Sequence, residues 1–141
     1  MKYYSICIDG IDKTGKDTLL GFIDQLSNHK YIINVRGMMS QIAYADLYKR
    51  DFNYDLVPQQ HILNVLLTVD YDDWKTRCKL TREPAIDYES NCKVFEDAYS
   101  TLEKAGLPVV KYNTTVMTPY MIAKCILAVM DNLNSEEKID G

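Results

Sequence analysis

The sequence is poor in the residues that build most self-contained metal and thiol sites. It has two histidines and one tryptophan in 141 residues. His29 and His61 have no acidic or thiol partner at ligand spacing, so both read as structural or solvent-exposed. Four cysteines are present, Cys7, Cys78, Cys92 and Cys125, and none forms a Cys-x-x-Cys pair. That excludes a zinc ribbon and a disulfide framework, and it reads as free thiols in a reducing compartment. Six glycines and four prolines are too few for a flexible linker, and no repeat or low-complexity stretch occurs. Positive charge is not in excess: the net charge is -4. This argues against a dedicated nucleic-acid binder, whose footprint is basic, although a local basic groove can sit on an acidic protein. No apolar run approaches the roughly 18 residues that a membrane span needs. The sequence starts in an apolar strand pattern without a leader-like apolar region, so a cytoplasmic location is the expectation.

What is present is a chain of one-domain length with an ordinary hydrophobic share of 47%. Its most informative stretch is Asp9-Gly10-Ile11-Asp12-Lys13-Thr14-Gly15-Lys16-Asp17-Thr18. The spacing Gly10-x4-Gly15-Lys16 is that of a phosphate-binding P-loop, with Asp17 where Ser or Thr usually follows the lysine. The setting supports the motif. An apolar run, Tyr3–Asp9, reads as a buried strand before it. After it, Leu19, Leu20, Phe22, Ile23 and Leu26 fall on one face of a helix over Gly15–Ser27. Strand, glycine loop and helix aim backbone N–H groups and a helix N-terminus at phosphate.

The rest of the chain alternates strand and helix. Tyr31–Val35 reads as a second strand, Met38–Tyr48 as a helix, and Asp51–Pro58 as a loop. Asn64–Asp70 reads as a buried strand, followed by a helix over Asp73–Leu80 capped by Asp72. Thr81–Asp87 reads as a loop and Ser90–Ala105 as an amphipathic helix stopped at Gly106. Val109–Tyr112 is the last strand. A final helix starts at Thr118-Pro119 and runs to about Leu133. The expectation is an α/β fold: a P-loop three-layer α/β/α domain over residues 1–134, with a small parallel sheet of about four strands and a loose polar tail at 135–141. Ligands in such sheets bind at the carboxyl ends of the strands, where the P-loop, Arg36 and Asp70 all fall.

Four segments, in order along the chain, resemble the thymidylate kinase group of nucleoside monophosphate kinases. They are Asp9–Lys16, Arg36-Gly37-Met38-Met39-Ser40-Gln41-Ile42-Ala43-Tyr44, Leu67-Thr68-Val69-Asp70 with Arg77 and Arg82 beyond it, and Val110–Thr115 with Thr118-Pro119. The resemblance implies ATP-dependent phosphoryl transfer to a deoxynucleoside monophosphate, with ATP and Mg²⁺ as cofactors. It implies a lid bearing Arg77 and Arg82, and an acidic residue, Asp9, near the acceptor. The chain departs from the family in three places. Asp17 replaces a magnesium-ligating hydroxyl. Val35 replaces the aspartate of an Asp-Arg pair. The interval of about twenty residues between the P-loop and Arg36 is too short for the family's acceptor subdomain, so the acceptor's usual pocket is expected to be missing.

Phosphoryl transfer needs positioning and charge neutralisation. Gly10, Asp12, Lys13, Thr14, Gly15, Lys16, Asp17 and Thr18 are the candidates for holding donor phosphates, with Lys16 reaching the terminal ones. Lys16, Arg77, Arg82 and Asp9 are the candidate catalytic residues. Arg36 is the candidate grip on the acceptor phosphate, because guanidinium binds oxyanions bidentately. Tyr44, Tyr48 and Tyr54 follow it and offer stacking for a base, or simply pack. Asp17 is the candidate metal ligand, because Mg²⁺ would turn its repulsion of phosphate into attraction. Asp70 and Asp12 are weaker metal candidates; either equally suits a cap or turn. Two further readings stay open: a nucleotide-binding P-loop protein without kinase activity, and a kinase for a modified nucleotide in DNA. A homodimer is the expected assembly.

Overall fold

The computed structural model describes residues 2–51 and 57–140. Tyr54 and the centre of the expected 51–58 loop lie outside the described residues. Four strands form one parallel sheet: β1 (Ser5–Gly10), β2 (Ile32–Val35), β3 (Ile62–Thr68) and β4 (Val109–Asn113), in the order β2-β1-β3-β4. Five helices connect and follow them: α1 (Lys16–Leu26), α2 (Met38–Leu47), α3 (Tyr71–Leu80), α4 (Tyr88–Lys104) and α5 (Pro119–Asp140). A short 3-10 turn, Val57–His61, leads into β3. This is the expected three-layer arrangement with a four-stranded parallel sheet.

Strand alternation divides the core. Ile6 and Ile8 of β1, with Leu63, Val65 and Leu67 of β3, pack under α1 and α5 against Leu19, Ile23, Ile122 and Ile126. Leu66 of β3 faces the other way, into a second cluster with Met39, Ala43, Phe95, Ala98 and Leu102 from α2 and α4. Since side chains alternate along a strand, Cys7 and Asp9 of β1 also point to the α2 side. A carboxylate at the end of a central, fully buried strand therefore faces the start of α2.

Element boundaries differ from expectation in three informative places. β3 is Ile62–Thr68 and ends before Val69, and α3 starts at Tyr71 with Asp70, not Asp72, in the cap position. The Asp70 carboxylate does not cap; it accepts from Asn113 Nδ2 at 2.9 Å, tying α3 to the end of β4. Similarly, α4 begins at Tyr88, two residues early, after Asp87 adopts a left-handed conformation (φ 63°) that turns the chain into the helix. Finally, α5 continues to Asp140, past the expected end near Leu133. Asn134 explains part of this: it is buried and exchanges hydrogen bonds with the Tyr3 backbone, accepting at 2.9 Å and donating at 3.0 Å. A polar residue that reads as tail from its composition is a clasp between the two ends of the fold.

Candidate functional site: a phosphate cradle beside a nucleotide-sized cavity

The loop between β1 and α1 has the backbone that a P-loop requires. Gly10 must be glycine because a Cβ there would lie 2.6 Å from the Leu67 carbonyl oxygen on β3. Gly15 caps α1 with φ 81°, a left-handed conformation that costs glycine least. Thr14 is buried and its hydroxyl donates to the Ile11 carbonyl at 2.9 Å, closing the turn from within. Two side chains of α3 hold the tip from behind. Trp74 Nε1 donates to the Asp12 carbonyl at 3.2 Å, and Arg77 Nη1 donates to the Lys13 carbonyl at 2.7 Å. A trans peptide points its N–H opposite to its C=O. Drawing these two carbonyls toward α3 therefore turns the amides of Lys13 and Thr14 the other way.

Lys16 Nζ donates to the carbonyls of Gly10 and Ile11, each at 2.9 Å. Burial lowers its pKa, and the nearby Asp12, Asp9 and Asp17 carboxylates work against that lowering. An ammonium held over backbone carbonyls in a half-buried loop is a cation set to exchange weak partners for a phosphate. Lys16, Asp17, Asp12, Lys13, Gly15 and Arg36 line one cavity of about 310 Å³, joined by Glu83 from the loop after α3. Lys13 Nζ meets the Glu83 carboxylate at 2.6 Å across this cavity.

Arg36 follows β2. Its backbone N–H continues the sheet by donating to Ile8 at 2.9 Å, and its φ of 66° then turns the chain sharply into α2. Asp9 holds that turn. Its Oδ1 accepts from the N–H of Gly37 at 2.7 Å, from the N–H of Ser40 at 3.1 Å, and from the Ser40 hydroxyl. A carboxylate from another strand thus caps the first turn of α2 and favours its dipole. Gly37 allows the close approach: a Cβ there would sit 2.8 Å from the Cys7 Cβ. Burial raises the Asp9 pKa, opposed by its bonds to Ser40 and Gly37 and by Lys16, and its Oδ2 is buried without a described partner. Asp9 was expected at the acceptor; the structure gives its Oδ1 to the α2 turn that carries Arg36.

A second cavity of about 500 Å³ opens beside the cradle. Its walls include Tyr44, Tyr48, Trp74, Phe95 and Ile86, and Arg36, Asp12 and Lys13 line it as well as the cradle. The interval before Arg36 does lack extra helices, but α2 and α4 pack together on the sheet and, with α3, enclose a space of ligand size. Tyr44 is there as expected, packed edge-on against Phe95 with centroids 5.7 Å apart; burial raises its phenol pKa.

Arg77 is placed differently from a lid arginine. Besides Lys13, its Nη1 donates to Thr114 Oγ1 at 3.1 Å, and its Nη2 donates to Asp73 at 2.7 Å and to the Thr114 carbonyl at 3.2 Å. Both terminal nitrogens are committed to protein, so the side chain staples the P-loop to α3 and to the end of β4. Arg82, in the loop after α3, is exposed with φ 57° and its guanidinium makes no hydrogen bond or ion pair to a described residue. Thr18 is exposed on α1 and lies outside the lining of both cavities. Asp70 lies away from the cradle, bonded to Asn113.

Among the described residues, no three His, Cys, Asp or Glu side chains converge on a metal position. Asp17 and Asp12 are exposed carboxylates on the cradle rim. Such hard oxygen donors fit Mg²⁺ that arrives on a polyphosphate and keeps most of its shell from phosphate and water. Sequence reasoning missed Glu83, Trp74 and Ser40. Glu83 and Trp74 carry no motif, and Ser40 lies inside the Arg36–Tyr44 segment without being given a role there; each role is found only by what the side chain touches in the folded chain.

No protein-family model matches the sequence, and no curated protein matches it at a significant level. Solved structures do match by shape. The YorR protein from Bacillus subtilis, in complex with phosphorylated GDP, superposes with a TM-score of 0.74 at 16% identity, over 93% of this chain and 98% of that one. Thymidylate kinase from Candida albicans superposes with a TM-score of 0.61 at 13% identity, over 94% and 93% of the two chains. The strand order, the glycine loop after β1 and these superpositions together show that the chain has a thymidylate kinase-like P-loop kinase fold.

Proposed function

We propose that the chain is an ATP-dependent nucleotide kinase whose acceptor is a deoxynucleoside monophosphate or a closely related nucleotide. The observation that carries this reading is the position of Arg36, which lines both the phosphate cradle and the 500 Å³ aromatic cavity. Donor phosphates would lie on the loop amides and Lys16. The acceptor's base would enter between Tyr44, Tyr48, Trp74 and Phe95, with its phosphate on Arg36. An acceptor phosphate oxygen would then attack the γ-phosphorus, and the bond to ADP would break. Most of the work is positioning and charge neutralisation, which this site offers. Arg82, on the loop after α3 and without a partner among the described residues, is the arginine available to meet charge on the transferring group. Asp17 would help to hold Mg²⁺, which neutralises the donor phosphates when bound.

A second reading has one observation in its favour. Because Arg77 is committed to four protein contacts, the site has one fewer arginine for the transition state than the lid comparison implies. A nucleotide-binding module without transfer would tolerate that. The test is incubation with labelled ATP, Mg²⁺ and a panel of deoxynucleoside monophosphates, with guanine nucleotides included because a neighbour of this fold holds phosphorylated GDP. Transfer that disappears in Lys16→Ala is the expected result. Tight ATP binding with no transfer to any member of the panel supports the binding module. No ATP binding at all rejects both readings.

A further inference from the structure

The 500 Å³ cavity has two chemically different ends. Arg36 and Lys13 line both this cavity and the phosphate cradle, so these cations stand at the cradle end. Asp87, Asn91 and Phe95 line the cavity and not the cradle. They follow one another at intervals of four residues, from the cap of α4 into the helix, and so share one of its faces. The Asn91 backbone N–H donates to the Asp87 carbonyl at 3.0 Å, which puts Asp87 in helical register with the other two.

The hydrogen-bonding capacity of that face is one-sided. Asn91 Nδ2 donates to the Asp87 carbonyl at 2.8 Å. A carbonyl only accepts, so this bond sets the orientation of the amide and leaves Oδ1 over. The Asp87 carboxylate stands before the helix but makes no capping bond, and it joins no ion pair with a described residue. Glu83, the other carboxylate that this loop brings to the cavity, is taken by Lys13. Trp74 Nε1, across the cavity, is taken by the Asp12 carbonyl. The α4 face therefore offers a base acceptor oxygens and no free side-chain N–H.

The bases answer such a wall differently. Thymine presents one N–H between two carbonyl oxygens, which would meet acceptors on either side. Adenine and cytosine present one amino group beside a bare ring nitrogen. Guanine presents two adjacent donors, N1–H and the 2-amino group, and a carboxylate accepts two parallel N–H bonds at once. We infer that the acceptor is a guanine nucleotide, read at its N1–H and 2-amino edge by the Asp87 carboxylate, with Asn91 Oδ1 as a further acceptor. This rests on the acceptor reading given above and fixes the base that it leaves open. Arg36 takes the phosphate at one end of the cavity and α4 takes the base edge at the other.

The test measures binding of dGMP, dIMP and dTMP to the full chain with Mg²⁺ by calorimetry. ATP binding to wild type and Lys16→Ala is measured alongside, so that failure of the kinase reading is seen separately. dGMP is expected to bind about tenfold more tightly than dTMP, in the lower part of the range for a bidentate contact with a base, because Asp87 is exposed. dIMP, which is dGMP without the 2-amino group, should lose most of that gain. Asp87→Asn keeps a residue type that tolerates φ 63° and puts an N–H where the wall had none, so it should close the gap between dGMP and dTMP. Asn91→Leu should narrow the gap about threefold, as the loss of one hydrogen bond does. The Tm of each variant shows that it is folded. The inference is overturned if dTMP binds as tightly as dGMP, if dIMP matches dGMP, if the gap survives Asp87→Asn, or if Asn91→Leu leaves it untouched. Those results would leave the kinase reading standing. ATP binding without binding of any monophosphate would instead remove the acceptor reading, and the inference with it.

Discussion

Replacing Arg77 by alanine separates a structural staple from a catalytic arginine. The side chain makes four hydrogen bonds: to Lys13 O at 2.7 Å, Thr114 Oγ1 at 3.1 Å, Asp73 at 2.7 Å and Thr114 O at 3.2 Å. Its exposure is 27%, and that of Asp73 is 34%, so the pair is neither dry nor freely solvated. The bridge to Asp73, four residues back on one helix, contributes about 0.3–0.5 kcal/mol. The bonds to the two carbonyls are charge-assisted; the low end of the range for such bonds, about 1.5 kcal/mol, halved for partial water access, leaves roughly 1 kcal/mol each. Arg77→Ala should therefore cost about 2 kcal/mol, which for a domain of this size lowers Tm by about 6–8 °C. Because one lost bond frees the Lys13 carbonyl, the cradle loosens with the fold. The expected signature is a lower Tm, a weaker Kd for nucleotide, and partial recovery of Tm when nucleotide is added. Thermal unfolding with and without nucleotide, read beside kcat and KM, makes the measurement. An unchanged Tm with a lost kcat would refute the staple and return Arg77 to the chemical step.

Two further predictions follow from the charges around the loop. Asp17 beside a bound polyphosphate is repulsive by roughly 4 kcal/mol for unit charges at 4 Å and an effective dielectric of 20; nucleotide Kd should therefore depend steeply on Mg²⁺ in the wild type and much less in Asp17→Thr, and titrations that give the same magnesium dependence for both would rule this out. For Asp9, burial raises the folded-state pKa above the ordinary 3.8. A carboxyl that holds its proton more tightly when folded makes the folded state more stable below the unfolded pKa, and this contribution is lost as pH rises through the folded value. Asp9→Asn removes that titration while keeping an Oδ1 acceptor for Gly37 and Ser40. The difference in urea midpoint between the two proteins should therefore shift in favour of Asp9→Asn as pH climbs above about 4. A difference that does not vary with pH would show that Asp9 is not titrating in this way.

The P-loop was legible because its constraint is local. Gly10, Gly15 and Lys16 sit within seven residues, and the strand before them and helix after them declare themselves by periodicity. The parallel four-stranded sheet was legible for the same reason, since each strand and each helix buries its own face. The α3 start was not. Asp70 and Asp72 are equally good caps on composition, and the choice depends on Asn113 standing beside one of them. Nor was the role of Arg77 readable, because its partners Lys13 and Thr114 are distant in sequence and meet only when α3 lies between β1 and β4. The 500 Å³ cavity was not readable either, because the length of one interval says nothing about α2 packing on α4.

The order of residues by itself therefore determined the chemistry at hand: a glycine loop with its lysine, an acidic residue in place of the usual hydroxyl, and alternating elements that must build a parallel sheet. Those properties are set by neighbours along the chain, through dihedral preference and side-chain periodicity. Tertiary structure decided which charges are free and which are spent. Arg36 faces the open cradle, whereas Arg77 is bound on both terminal nitrogens and Asp9 supports α2. Composition counts these groups alike. Only packing fixes whether a buried or half-buried charge finds a protein partner or is left for a ligand, because that depends on atoms brought within about 3 Å of it from far along the chain.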